Sequence, residues 1–199
     1  MLAFLVFLLL DAPANAGPVT APDDYAVYVD FLRQATWDRA EIMKKAVGTF
    51  VIVDRTDLAG TGSFSIPRDW LLYDGMKWHF PELDSSTLHS FEVRNAKTVH
   101  LDAARFDGLP VALVSRRTIR NWFPRSASLP ERWERFYERF PKAQGFLAFS
   151  SVGFSDDRRQ ALLYYGNQYD GLGGRGELLL FAWDGRQWMI IGRMQAWIS

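Results

Sequence analysis

Residues 145–198 decide the fold, and they read GFLAFSSVGFSDDRRQALLYYGNQYDGLGGRGELLLFAWDGRQWMIIGRMQAWI. Aliphatic and aromatic residues recur in short runs that are separated by Gly, Asp and Asn, which is the pattern of strands joined by turns. Four strands are predicted here, at Gly145–Phe154, Gln160–Gln168, Glu177–Trp183 and Gln187–Ile198. Because short connections join antiparallel neighbours, the prediction is a four-stranded antiparallel meander.

The last connection carries a dipeptide that favours a tight hairpin. Asp184-Gly185 suits a two-residue turn, since both residues tolerate a positive φ. In that register Trp183 lies opposite Arg186 and Phe181 lies opposite Trp188.

The chain before residue 145 reads mainly as helices with two short strands. Apolar residues from Tyr25 onward recur at helical spacing, with Asp23 or Asp24 as the cap. Two short strands are expected, at 49–53 and 111–114. Four helices are expected, at 25–46, 84–97, 115–123 and 130–140. Residues 55–84 are expected to be loop. Helices first and a meander last make the class α+β, with helices packed on the sheet.

Composition limits the function classes. The 199 residues include 23 Lys plus Arg and 23 Asp plus Glu, so the formal net charge is zero and the basic surplus of a general nucleic-acid binder is missing. The chain has no cysteine, which excludes a disulfide scaffold, a cysteine nucleophile and a lipid-carrying cysteine. With 48% hydrophobic residues, the composition is that of a globular chain.

The first residues resemble a secretory signal. Residues 2–10 are nine consecutive apolar residues, too few for a membrane span, and Ala14-Asn15-Ala16 is a small-x-small cleavage site. No Lys or Arg precedes the apolar run. We therefore predict a signal peptide at 1–16, a single exported domain at 17–199 without a membrane span, and a periplasmic or secreted location.

Residues 171–176 match the spacing of a dinucleotide-binding motif. The sequence Gly-Leu-Gly-Gly-Arg-Gly fits G-x-G-x-x-G, but that motif needs a helix next, whose N-terminus would hold a pyrophosphate. The following residues, Glu177–Trp183, predict a strand. We therefore interpret the segment as a glycine-rich connection that is able to contact a ligand, with Arg175 as its strongest polar group.

Four residues are candidate ligand-binding residues: Asp54, Arg55, Asn167 and Arg175. Asp54 and Arg55 end a predicted strand abruptly, and an Asp–Arg pair there can orient a carboxylate or phosphate, or can bond backbone in a turn. Asn167 precedes the glycine-rich connection, and Arg175 lies within it. No catalytic residue is assigned.

Metal and cofactor sites are not predicted. His79, His89 and His100 lack metal-ligand spacing, and no cysteine completes a set. There is no G-x-S-x-G motif, although a Ser-His-Asp triad needs no proximity in sequence. The expectation is a protein without a cofactor.

The C-terminal half resembles a family of uncharacterised secreted bacterial proteins. The resemblance rests on Val152-Gly153-Phe154, Gln160-Ala161-Leu162, the glycines of 171–176, Asp184-Gly185, and Trp197-Ile198-Ser199. It implies a compact exported domain and carries over no catalytic residue. The expected function is a non-catalytic binding module for a small molecule, envelope component or protein. The alternative is a hydrolase with its site on loops 55–84 and 169–176.

Overall fold

A computed structural model describes residues 24–43, 48–56, 73–124, 126–171 and 173–198. The helices are α1 (Asp24–Met43), α2 (Tyr73–His79), α3 (Ser85–Arg94), α4 (Arg116–Trp122) and α5 (Leu129–Arg139), with a 3-10 turn at Ala103–Arg105. The strands are β1 (Phe50–Val53), β2 (Val111–Val114), β3 (Phe146–Phe149), β4 (Gly153–Phe154), β5 (Gln160–Gln168), β6 (Gly174–Trp183) and β7 (Trp188–Ile198). The predicted signal peptide and residues 57–72 of the predicted loop lie outside the described residues.

The described strands form one seven-stranded sheet. Their order is β2-β1-β3-β5-β6-β7, and β4 also pairs with β5. Strand β1 is parallel to both β2 and β3, and the other pairings are antiparallel. The predicted α+β class and C-terminal meander are confirmed. The predicted count of four strands is too low, because β1 and β2 join the same sheet and because one predicted strand is divided.

The divided strand is the predicted Gly145–Phe154, which the structure splits into β3 and β4. At the break, the Ser150 hydroxyl accepts a hydrogen bond from the Tyr164 backbone N–H at 2.9 Å. The Ser150 carbonyl accepts one from the Tyr28 hydroxyl at 2.7 Å. The Ser150 N–H still donates to the Tyr164 carbonyl at 2.9 Å, so the side-chain bonds replace only one bond of the ladder before β4 resumes pairing with β5.

The hairpin between β6 and β7 is wider than predicted. Trp183 pairs with Trp188 and Phe181 with Ile190, so the predicted register is wrong and four residues form the connection. The Asp184 carboxylate accepts hydrogen bonds from the backbone N–H groups of residues 186 and 187 at 2.7 and 2.8 Å. Among these four residues only Gly185 has a positive φ, whereas the two-residue turn needs two such residues.

The sheet is buried on both faces. Helix α1 covers one face, and α2, α3 and α5 contribute buried apolar residues to the other. Alternate residues of β5 therefore enter different cores, with Tyr164 on one side and Tyr165 on the α1 side. Helix α1 is fixed to β7, because the Asp30 carboxylate accepts from the Trp188 N–H at 2.8 Å and the Gln34 amide donates to the Trp188 carbonyl at 2.7 Å.

Helix α2 corrects the prediction that residues 55–84 form loop. Met76 and the following Phe80 are buried against the sheet, and the Lys77 ammonium donates to the Leu83 carbonyl at 2.7 Å. Tertiary burial therefore outweighs the low helix propensity of Gly75.

The predicted sheet-docking helix at 130–140 is confirmed as α5, with Trp133 and Phe136 buried and a capping box between Ser128 and Glu131.

Tyr164 links the two ends of the meander. Its hydroxyl accepts a hydrogen bond from the Trp197 indole N–H at 2.8 Å. The Trp197 ring lies over Gly176, so closely that a Cβ added to Gly176 would be 2.0 Å from the indole nitrogen. Burial raises the pKa of Tyr164 to about 12. The phenol is therefore held protonated in the folded chain at pH values where an unfolded tyrosine ionises.

This pKa makes the fold sensitive to alkali. Between the ordinary tyrosine pKa of about 10 and the folded value of about 12, the folded chain keeps a proton that the unfolded chain releases. The free energy of unfolding is expected to fall across that window, by at most about 1.4 kcal/mol per pH unit for this group. Urea unfolding between pH 9 and 11.5 measures the slope. Tyr164→Phe is expected to flatten the slope, and an unchanged slope would assign the effect to other groups.

Candidate binding site

The end of β1 places Asp54 and Arg55 in backbone bonding. The Asp54 N–H donates to the Val114 carbonyl, and the Asp54 carbonyl accepts from the Leu101 N–H, both at 2.9 Å. The Arg55 Nε donates to the Asp54 carboxylate at 3.2 Å, and Arg55 forms an antiparallel bridge with His100. These contacts support the structural alternative for the pair, which is to close the strand and hold residues 99–101 beside it.

Positive charge surrounds this strand end. Burial lowers the pKa of Arg116, at the start of α4, and the charges of Arg55 and Arg120 lower it further. The nearby Asp54 carboxylate acts in the opposite direction. The Asp54 carboxylate therefore offsets part of the repulsion among the three guanidinium groups.

Asn167 and Arg175 meet on the α1 face of the sheet. They are direct register partners on β5 and β6, and Leu147 of β3 lies on the other side of Asn167. Residues directly opposite each other in an antiparallel pair project from the same face and have Cα atoms about 5 Å apart. Asn167 is fully buried, at 0% exposure, and Arg175 is partly exposed. The structure thus brings two of the four predicted residues together.

The next row of the sheet adds charge beside this pair. Glu177 on β6 is the register partner of Tyr165 on β5. Its carboxylate lies 3.6 Å from the Arg175 Nη1 and 3.5 Å from the Arg193 Nη1, between two guanidinium groups. The Arg175 guanidinium also lies 6.0 Å from the centroid of the Tyr165 ring. We call Tyr165, Asn167, Arg175, Glu177 and Arg193 the Asn167 cluster.

Several polar atoms of the Asn167 cluster have no hydrogen bond. Both amide atoms of Asn167, Oδ1 and Nδ2, and the Nε of Arg175 are buried, and none of the three forms a hydrogen bond with the described residues. A buried amide without a partner costs about 1–3 kcal/mol by comparison with mutational data. Native proteins satisfy most such groups, so these three atoms on directly paired residues make the Asn167 cluster the candidate binding site.

The phenol of the Asn167 cluster stays neutral. Burial raises the pKa of Tyr165, and the negative charge of Glu177 raises it further. The positive charges of Arg175 and Arg193 oppose this rise with smaller effect. The cluster therefore offers a neutral phenol, an amide, two guanidinium groups and one carboxylate.

The four predicted residues do not form one site. Two strands, β3 and β5, lie between β1 and β6, so Asp54 and Arg175 are about 14 Å apart in the plane of the sheet. The predicted site did not include Tyr165 or Arg193, and Glu177 was named only as the first residue of a predicted strand. The pairing of Tyr165 with Glu177 follows from the meander register. Arg193 could not be placed from sequence, because β7 has two register shifts relative to β6.

The glycine-rich connection is shorter than predicted. Gly174, Arg175 and Gly176 already belong to β6, and the Gly173 carbonyl accepts hydrogen bonds from the N–H groups of Tyr169 and Asp170. The Tyr137 hydroxyl donates to the Tyr169 carbonyl at 2.7 Å, which ties the turn to α5. The prediction that a strand and not a helix follows the motif is confirmed. The segment therefore lacks the helix N-terminus that a dinucleotide site requires.

Within the described ranges, no group of three or more His, Cys, Asp or Glu residues is arranged to hold a metal ion. The same part of the chain contains no helix with the length and apolarity to cross a membrane.

Comparisons of the chain with protein-family models, with curated proteins and with solved structures found no match. The resemblance to secreted bacterial proteins therefore stays a prediction.

Proposed function

We propose that this chain is a non-catalytic binding module, and that the Asn167 cluster holds a small polar ligand. One observation carries the proposal: Asn167 is fully buried, yet neither amide atom has a hydrogen bond among the described residues. A ligand that supplied hydrogen bonds to these two atoms would recover the free energy that the unpaired buried amide costs the folded chain. A small molecule fits this site better than the envelope component or protein partner that the sequence also allowed.

The chemistry of the cluster supports binding over catalysis. Its single carboxylate already has two cationic partners, since it lies 3.6 Å from the Arg175 guanidinium and 3.5 Å from the Arg193 guanidinium. Its phenol has a raised pKa and so serves as a hydrogen-bond donor. The alternative, a hydrolase on loops 55–84 and 169–176, gains no support from the described contacts, in which the Tyr169 and Asp170 N–H groups donate to the Gly173 carbonyl.

The address that we propose is the periplasm or the medium. The support is the apolar run at residues 2–10 and the cleavage pattern at 14–16. Expression of the full chain with a tag at its C-terminus tests this: an exported chain is expected to appear shortened by about 16 residues in intact-mass measurement. Recovery at full length from the cytosolic fraction alone would contradict export.

A thermal-shift panel tests the binding function. The full chain is screened with amino acids, N-acyl amino acids, short peptides, monosaccharides, nucleotides and inorganic phosphate. At least one class is expected to raise Tm, since a ligand that binds only the folded chain stabilises it. In Arg175→Gln the affinity is expected to fall at least tenfold, or about 1.4 kcal/mol, because a guanidinium that faces the ligand is removed.

Two further variants serve as controls for that panel. Arg186→Gln removes the same charge from the exposed hairpin turn, and Asp54→Ala alters the separate site at the end of β1. Both variants are expected to bind like the parent chain. The proposal fails when no class raises Tm, or when Arg175→Gln binds as well as Arg186→Gln.

A further inference from the structure

We propose that Asp30 and Gln34 of α1 cap the free edge of the sheet, and that they prevent β7 from pairing with β7 of a second copy of the chain. This role is independent of the proposed function, because neither residue belongs to the Asn167 cluster. The support is the place of β7 in the sheet, the sequence of β7 and three hydrogen bonds from α1.

Strand β7 is the last strand at one end of the sheet. Of the described strands, only β6 pairs with it. An edge strand directs backbone N–H and C=O groups outward, and these groups can pair with a strand of another molecule. The outer side of β7 is therefore open to pairing unless another part of the chain covers it.

The sequence of β7 gives little protection against such pairing. Its 11 residues, WMIIGRMQAWI, are mostly apolar and contain one charged residue and no proline. Edge strands usually avoid association through charged residues, proline, short length or β-bulges. Two register shifts relative to β6 are present, at Ile191 and Ala196, which pair with no residue of β6. The residues before the first shift, 188–190, are regular, so the bulges do not protect them.

Side chains of α1 bind the outward backbone groups of these regular residues. The Trp188 N–H donates to the Asp30 carboxylate at 2.8 Å, and the Trp188 carbonyl accepts from the Gln34 amide at 2.7 Å. The Ile190 N–H donates to the Gln34 carbonyl oxygen at 3.4 Å. Alternate residues of an antiparallel strand direct both backbone groups away from the paired strand. Asp30 and Gln34 therefore bind the groups that a further strand would use.

A second copy of the chain fits this edge. Antiparallel pairing about a two-fold axis at Met189 would place Trp188 of one copy opposite Ile190 of the other. Each of these two pairs would exchange two backbone hydrogen bonds, which would replace those from α1. The pairing would also cover apolar side chains that are 37–44% exposed beside these residues, namely Trp183, Met189 and Ile191.

Light scattering after size-exclusion chromatography tests this role on chains expressed from the full sequence. The parent chain is expected to have the mass of one copy. The double variant Asp30→Ala/Gln34→Ala is expected to have a mass that rises with concentration, to at least twice that of the parent. Asp30→Asn keeps an oxygen that accepts from the Trp188 N–H, so it is expected to stay at the mass of one copy.

Further variants separate edge pairing from a loss of stability. Addition of Ile191→Lys to the double variant places a charge on the exposed edge and is expected to restore the mass of one copy. Asn95→Leu weakens the fold at the end of α3 without a change at β7, and it is expected to remain a single copy. Circular dichroism verifies folding. Asp30→Ala alone, with a smaller expected rise in mass, replaces the double variant if the latter does not fold.

Four outcomes overturn the edge cap. They are a double variant that stays a single copy, association that persists after addition of Ile191→Lys, equal association of Asn95→Leu, and association of the parent chain that Ile191→Lys abolishes. In the last case β7 would pair despite Asp30 and Gln34. The binding module is tested separately, by the thermal-shift panel and Arg175→Gln, so either proposal can fail without the other.

Discussion

Gly145→Ala is expected to lower the free energy of unfolding by about 2–5 kcal/mol. Gly145 has a φ of +82°, a conformation that costs an L-residue energy, and an added Cβ would lie 2.0 Å from the Gln168 carbonyl oxygen. That oxygen belongs to the backbone of β5, so relief of the clash requires β3 and β5 to separate where their pairing begins. Tm is expected to fall by roughly 5–15 °C, measured by calorimetry or by circular dichroism.

Gly108→Ala is the matched control for this substitution. Gly108 also has a positive φ, of +71°, but no atom lies within 4 Å of the position of an added Cβ. Its alanine variant therefore incurs the backbone cost without the clash, about 1 kcal/mol. Equal losses in the two variants would show that the close approach of Gly145 to Gln168 contributes nothing to the difference.

Asn167→Leu is expected to stabilise the unliganded chain by about 1–3 kcal/mol while it weakens ligand binding at least tenfold. Leucine has the same branching and the same number of side-chain heavy atoms as asparagine, and it removes two buried polar atoms that have no hydrogen bond in the described part of the fold. A residue that costs stability and contributes to binding is typical of a functional site. Urea unfolding measures the first effect, and calorimetric titration with the ligand class that raises Tm most in the thermal-shift panel measures the second.

Asn95→Leu makes the same chemical change at an asparagine with partners. The Asn95 amide donates to the Phe91 and Ser151 carbonyls at 2.8 and 2.9 Å and accepts from the Ser151 N–H at 2.8 Å. Its loss is expected to destabilise the fold by about 1–3 kcal/mol, the opposite sign to Asn167→Leu. Destabilisation of similar size at both positions would indicate that Asn167 is a structural residue and would remove the main support for the binding site.

Local pattern was sufficient to predict most of the strands and several helices. The predicted strand Gln160–Gln168 coincides with β5, and the predicted helices at 84–97 and 115–123 are observed as α3 and α4, which Asp84 and Ser115 cap. These features depend on residues near in sequence, where alternation and side-chain capping act. The sheet order was not predictable in this way. Strand β1 pairs with β2 and β3 across about 60 and 95 residues, and nothing in its four residues specifies those partners.

In the candidate site too, the features that depend on neighbouring residues could be predicted, and those that depend on distant residues could not. Arg175 was identified by its place among glycines, and Asn167 by its place before them. Their pairing follows from the register of one hairpin. The open hydrogen bonds of Asn167 could not be predicted, because they depend on which atoms surround the amide after the whole sheet has formed. The same holds for Asp54, whose backbone partners Val114 and Leu101 are about 60 and 47 residues away, and for Arg55, which bridges to His100.

The attachment of α1 to β7 has a consequence for synthesis. Asp30 and Trp188 are 158 residues apart, so the helix is translated long before the strand that receives its hydrogen bonds. At about 5–20 residues per second, α1 would wait roughly 8–30 s on the ribosome before its partner emerges. During that interval the apolar side chains of Tyr28, Phe31 and Leu32, which are buried in the finished fold, have no sheet to cover them. The nascent chain is therefore a natural client for a holding chaperone until the final hairpin is complete.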